Sequence, residues 1–99
     1  MYRKTYAIID EDKLKNNIKE IKEKYDNYKY YIGVVKNNAY NHGIKIINSL
    51  IEGGINYLAV SSLEEALDAR KYNSKIPILC LEVIDLDYIY DCINNNVTI

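Results

Sequence analysis

Apolar residues recur along the chain in two rhythms. Leu14, Ile18, Ile21 and Tyr25 fall at steps of four, three and four, with Lys, Glu and Asn between them. That spacing predicts an amphipathic helix with one buried stripe. Asp10 or Asp12 can cap its start, because a carboxylate there accepts orphan backbone N–H groups and suits the positive end of the dipole. Asp26-Asn27 closes it. Tyr30-Tyr31-Ile32-Gly33-Val34-Val35 is instead a continuous apolar run, the pattern of a strand covered on both faces. A polar segment follows from Lys36 to Gly43. Ile44, Ile47, Leu50 and Ile51 then trace a second helix that ends at Gly53-Gly54, where a left-handed C-cap costs little. Tyr57-Leu58-Ala59-Val60 is the next strand.

Ser62 with Glu65, or Ser61 with Glu64, offers a capping box to a third helix whose face runs through Leu63, Ala66, Leu67 and Arg70. Pro77 stands at the start of the strand Ile78-Leu79-Cys80-Leu81, where its missing N–H does least harm. Asp85 caps a fourth helix carrying Leu86, Ile89 and Ile93, and Val97-Thr98-Ile99 begins a last strand. Ahead of all this, Thr5 to Ile9 reads as a short strand of Thr, Tyr and Ile.

From Tyr30 onward strands and helices alternate, and the strands start near Tyr30, Tyr57, Ile76 and Val97, at intervals of 27, 19 and 21 residues. This order predicts right-handed βαβ units and a parallel sheet with outer helices. A complete (β/α)8 barrel takes about 250 residues, and the chain has 99. The pattern therefore fits the opening part of a barrel or a small doubly wound sheet. The final strand has three residues and no cap after it, which favours a truncated chain.

Composition removes several classes of function. Thirteen basic residues against 14 acidic ones leave a net charge of −1, with no clustered basic excess to track a nucleic-acid backbone. No apolar run approaches the roughly 20 residues of a membrane span, and MYRKTYAIID cannot serve as a secretory signal. Cys80 and Cys92 fit no metal or redox spacing and read as small buried hydrophobes. The expected setting is a reduced, cytoplasmic one with no metal, no nucleic acid and no membrane. The sequon Asn96-Val97-Thr98 is expected to be accidental.

The segment that carries chemistry is Val34-Val35-Lys36-Asn37-Asn38-Ala39-Tyr40-Asn41-His42-Gly43. A lysine directly after a buried strand stands at the C-terminal edge of a parallel sheet, where α/β folds bind their ligands. A partly desolvated amine there can act as a nucleophile and form a Schiff base with a carbonyl compound. Position alone favours the reading in which Lys36 simply ends a strand and points into water.

The whole string resembles the pyridoxal-phosphate attachment site of the alanine racemase family, Val-Val-Lys-Ala-Asn-Ala-Tyr-Gly-His-Gly, and eight of its ten positions agree. Asn37 replaces Ala and Asn41 replaces Gly; Asn is the residue with a side chain that best tolerates a left-handed conformation. The resemblance covers nearly the whole chain. Ile9-Asp10 resembles the family's Val-Asp-Leu-Asp opening. Leu58-Ala59-Val60 with Leu63-Glu64-Glu65-Ala66-Leu67 and Arg70 resembles its Leu-Ala-Val and Leu-Asp-Glu-Ala-Leu block. Ile76 to Leu81 resembles its Ala-Pro-Ile-Leu-Val-Leu strand, after which Glu82 stands where members usually have Gly.

The resemblance implies the first three to four β/α units of a (β/α)8 TIM-type barrel, spanning residues 1–99, with the rest of the barrel and a C-terminal β domain beyond Ile99. It also implies that Thr5–Ile9 pairs outside the barrel. It implies pyridoxal 5'-phosphate held covalently by Lys36, which would also be one of two bases on the substrate. Tyr40 would bond the cofactor phosphate, Leu81 would pack near its ring, and His42 would support the loop. The implied activity interconverts L- and D-alanine in a homodimer, supplying D-alanine for peptidoglycan. The second base, a tyrosine of the partner subunit's C-terminal domain, would lie beyond Ile99, so the 99 residues alone are expected to be inactive. Racemases of serine, lysine or ornithine share the motif, and a non-catalytic truncated remnant is the other reading.

Overall fold

The computed structural model describes residues 8–99. Helix α1 (Glu11–Lys24) starts at Asp10, whose side chain accepts the Lys13 N–H at 3.1 Å. Four strands follow, β1 (Ile32–Val34), β2 (Tyr57–Val60), β3 (Ile78–Cys80) and β4 (Val97–Thr98). They form one sheet in the order β1-β2-β3-β4, and every neighbouring pair is parallel. A doubly wound sheet reverses its strand order at a switch point, whereas a barrel does not. The unreversed order decides between the two: the fold is α/β, the opening portion of a (β/α)8-type barrel.

Between the strands the chain forms, in turn, a short turn of helix α2 (Lys36–Tyr40), a 3₁₀ turn at Ile44–Ile46 running into α3 (Ile47–Gly53), then α4 (Leu63–Arg70). A 3₁₀ turn at Leu86–Tyr88 leads into α5 (Ile89–Asn94). Right-handed crossovers in one direction put α3, α4 and α5 on the same side of the sheet. The register aligns Gly33, Leu58, Ile78 and Val97 in one row across the strands. Leu58 and Ile78 in that row are fully buried and pack in the main apolar core with Ile47, Leu50, Ala66, Ala69 and Cys92.

The opposite face behaves differently. Ile32 and Val34 alternate with Gly33 and remain 47% and 42% exposed. The expectation that β1 is covered on both faces is therefore corrected: helices cover one side of the sheet only. The predicted stripe of α1 also needs correction, and α5 is uneven in the same way. Ile18 is buried and Leu14 half-buried in α1, but Ile21 and Tyr25 are exposed; Cys92 and Ile89 carry the inner side of α5, while Leu86 and Ile93 are exposed. A periodic stripe shows that a face is apolar, and only a neighbouring element can bury it.

The α1–α3 contact is close because Gly53 has no side chain. A Cβ at Gly53 would lie 2.9 Å from the Ile18 side chain and 3.2 Å from the Lys15 backbone. Lys15 and Glu52 flank that contact with a 2.5 Å ion pair. At the other end of the sheet Arg70 ties α4 to the chain around β3 and β4. Its guanidinium donates to the carbonyls of Ile76 (2.5 Å), Asn95 (2.8 Å) and Asn96 (3.1 Å). The predicted strand Thr5–Ile9 falls mostly outside the described residues, and Ile8 and Ile9 carry no regular structure.

Candidate active site at the end of the first strand

Lys36 follows β1 at the C-terminal edge of the sheet and is half-buried. It takes part in neither ion pair of the described residues, Lys15–Glu52 and Lys71–Asp68. Leu81 stands past the end of β3 at the same edge, 53% exposed, and donates its N–H to the Val60 carbonyl at 2.8 Å. Two strand spacings, about 10 Å, separate the lines of β1 and β3. The structure thus brings Lys36 and Leu81 to one end of the sheet without joining them by a hydrogen bond.

The segment after Lys36 is not the irregular polar loop that its composition suggests. Asn37, Asn38, Ala39, Tyr40 and Asn41 all have positive φ, from 53° to 70°. Together they make a left-handed helical turn. Within it the Ala39 N–H donates to the Val35 carbonyl (2.9 Å), Asn41 to Asn37 (3.2 Å) and Gly43 to Asn38 (2.9 Å). Each residue with a side chain loses roughly 1–2 kcal/mol in this conformation, and Asn loses least. Three of the five residues are Asn, and Ala39, 2% exposed, fits its small side chain into the core. Asn41 at φ 70° matches the expectation for the position where relatives carry Gly.

Two side chains close the turn from outside its backbone. The Asn38 side-chain oxygen accepts the Ile44 N–H at 2.9 Å, which joins the turn to the following 3₁₀ segment. The Glu65 carboxylate, on the first turn of α4, accepts the Asn37 N–H at 2.6 Å. Its other oxygen accepts the Ser61 N–H at 2.7 Å and the Ser61 hydroxyl. Burial pushes the Glu65 carboxyl upward, but the Ser61 hydroxyl and the N–H groups of Asn37, Ser61 and Ser62 outweigh it and hold the group below the usual carboxylate range. Half of the anticipated capping box is present, since Ser62 accepts the Glu65 N–H at 3.2 Å. Glu65 itself does more than cap α4: it bridges the ends of β1 and β2. Sequence reasoning missed this role, because the bond to Asn37 spans 28 positions.

Tyr40, in the left-handed turn, is 54% exposed. His42 donates its N–H to the Ala39 carbonyl at 3.0 Å. Its side chain lines a cleft of about 280 Å³ against the start of α1, with Asp10, Lys13, Leu14 and Ile46. Cys80 and Cys92 are buried, as anticipated; burial pushes the Cys80 thiol up, and its Sγ donates to the Ser61 carbonyl at 3.4 Å.

A profile described as the alanine racemase N-terminal domain matches residues 9–99. The chain belongs to this family. The alanine racemase of Clostridium kluyveri is 39% identical over 97 residues, which are 97% of this chain and 25% of that protein. The crystal structure of alanine racemase from Bacillus anthracis with bound L-Ala-P superposes with a TM-score of 0.88 at 35% identity, over 98% of this chain and 25% of that one. A histidine racemase from Leuconostoc mesenteroides superposes over 88% of this chain and 23% of that one, with a TM-score of 0.77 and 30% identity. The chain therefore spans about a quarter of the length of the racemases it matches.

Proposed function

We propose that this chain is the opening quarter of an amino-acid racemase that uses pyridoxal 5'-phosphate and acts on alanine. One observation carries the reading. The lysine of the ten-residue string Val34–Gly43 stands directly after β1, at the ligand-binding edge of a parallel sheet, in a chain of the alanine racemase family. The residues at this edge suit the three parts of the cofactor. Lys36 offers a primary amine to its aldehyde, Tyr40 a phenolic donor to its phosphate and Leu81 an apolar side chain to its ring.

The chemistry such a cofactor supplies is electron withdrawal from the substrate α-carbon, which makes its C–H bond acidic. Lys36 would hold the cofactor through Nζ and would take or return the α-proton on one face. Tyr40 donates its hydroxyl to the phosphate and anchors it. Leu81 keeps water from the ring. The opposite face needs a second base, which in this reading comes with the remaining barrel and a C-terminal β domain in a cytoplasmic homodimer. The likeness to a histidine racemase favours a second reading, in which another amino acid is the substrate.

The test is a chimera in which this chain replaces the matching quarter of the Bacillus anthracis enzyme. Alanine racemisation near the ordinary enzyme rate of about 10 s⁻¹ is expected of the chimera, and none of the 99-residue chain alone. A properly folded chimera that binds pyridoxal phosphate and fails to racemise alanine would overturn the reading, and preference for histidine would establish the second one.

A further inference from the structure

Five consecutive left-handed residues, none of them Gly, do not hold themselves in place. A turn of this kind persists where its surroundings over-determine it. The Ala39–Val35 bond and those within Lys36–Gly43 close the turn on itself, and the Asn38 bond to Ile44 fixes only its exit. Its entrance is the peptide between Lys36 and Asn37, and the N–H of that peptide donates to Glu65 at 2.6 Å. A charged acceptor makes this one of the stronger bonds available to a backbone amide.

We infer that Glu65 is a positioning residue for Lys36: its carboxylate sets the plane of the peptide that follows the lysine, and so the direction in which the lysine side chain leaves the sheet. The inference rests on the assignment of Lys36 as the cofactor lysine. Its geometry is a two-point clamp. One carboxylate oxygen takes Asn37 at the end of β1, and the other takes the N–H and hydroxyl of Ser61 at the end of β2. The carboxylate is anchored in turn by α4, whose N-cap Ser62 accepts the Glu65 N–H at 3.2 Å. The groups bonded to the carboxylate, the Asn37 N–H and the Ser61 N–H and hydroxyl, are neutral donors, so both oxygens act as acceptors. A glutamine has one accepting oxygen and would present an NH2 to the other N–H, donor against donor. Glu65→Gln is therefore a near-isosteric change that breaks one arm of the clamp.

Amide hydrogen exchange on the chain and on its Glu65→Gln and Ser62→Ala variants tests the clamp. Ser62→Ala weakens the start of α4 without touching either oxygen of Glu65, and it reports what a purely structural loss does. Once each variant is corrected for its overall opening, Glu65→Gln is expected to speed exchange at Asn37 by about tenfold or more, as loss of a bond to a charged group implies. Ser62→Ala is expected to leave Asn37 unchanged. Equal acceleration in the two variants would overturn the clamp.

The consequence for Lys36 is read in the chimera described above, by borohydride trapping of pyridoxal phosphate and peptide mapping, with exposed Lys19 as the internal reference. Glu65→Gln is expected to lower the Lys36-to-Lys19 labelling ratio by about tenfold, and Ser62→Ala to leave it unchanged. An unchanged ratio in Glu65→Gln would overturn the positioning role. An unsubstituted chimera that labels Lys36 no better than Lys19 would overturn instead the assignment of Lys36, while the exchange experiment still decides the clamp.

Discussion

Two strand-to-helix connections lie side by side at the C-terminal edge of the sheet, and they are built on opposite principles. The one after β2 is Ser61-Ser62, two residues that hand the chain to a right-handed helix through an ordinary serine cap. The one after β1 runs from Val35 to Gly43 through five left-handed residues before helix resumes. The first shows how little a connection requires when it only has to connect. The second stores strain of a kind that proteins keep at functional sites, and it carries the lysine. Glu65 joins the two, so the plain connection braces the strained one.

The largest expected effect breaks the comparison at its chemical end. In the chimera, Lys36→Ala is expected to lower alanine racemisation by about 10³-fold or more, since in the proposed function it removes both the covalent anchor and a positioned base. Lysines elsewhere on the edge or on α1 changed to alanine should leave the rate within a few-fold. Activity that survives Lys36→Ala would make the left-handed turn an unexplained expense of stability.

Next in size is Tyr40→Phe. Loss of one hydrogen bond to a charged phosphate is worth about 1.5–3 kcal/mol, so cofactor affinity should fall about tenfold or more, while the rate at saturating cofactor changes little. Titration of the chimera with pyridoxal phosphate separates the two quantities. A collapsed rate with unchanged affinity would give Tyr40 a different role.

The conformational difference itself can be measured by placing the same residue in the left-handed turn and in the right-handed helix that follows β2. Asn41→Val puts a β-branched side chain at φ 70° and is expected to cost about 1–2 kcal/mol in urea unfolding. Asp68→Val, at an exposed right-handed position of α4, exchanges two residues of similar helix propensity and breaks only the surface pair with Lys71. It should cost less than about 0.5 kcal/mol. Equal costs would mean that the turn is not left-handed at Asn41.

The smallest effect is one of pH. The folded-state pKa of Glu65 lies below its usual value of 4.5, the result of hydrogen bonds from Ser61, Asn37 and Ser62 that outweigh burial. Its contribution to stability is thus present above the unfolded-state pKa and is lost as pH falls through the lowered folded-state value. Thermal unfolding between pH 6 and pH 3 should show a shallower acid decline in Glu65→Gln than in the unsubstituted chain. Identical declines would remove the clamp as a source of acid sensitivity.

The plain connection was legible in the sequence and the strained one was not, for a physical reason. Ser62 and Glu65 announce a helix start locally, and strand starts expected near Tyr30, Tyr57, Ile76 and Val97 correspond to strands beginning at Ile32, Tyr57, Ile78 and Val97. The place of Lys36 at a sheet edge followed from the same pattern. A left-handed turn has no periodicity signature of its own, and its usual marker, Gly, appears only at Gly43. The surviving signal is Asn at 37, 38 and 41, the residue type that tolerates positive φ. What holds the turn is a carboxylate 28 positions away, which no local rule reaches. For the same reason the stripe through Ile21 and Tyr25 reads as buried: periodicity identifies an apolar face and says nothing about its neighbours.

The central claim is that the strained connection exists to present Lys36 to a cofactor aldehyde. Reduction of the pyridoxal-phosphate-loaded chimera with borohydride, followed by peptide mapping, tests it most directly. The cofactor should be fixed mainly to the peptide containing Lys36, at close to one per chain, with exposed lysines such as Lys19 labelled far less. Label carried by a different lysine, with Lys36 unmodified, would contradict it.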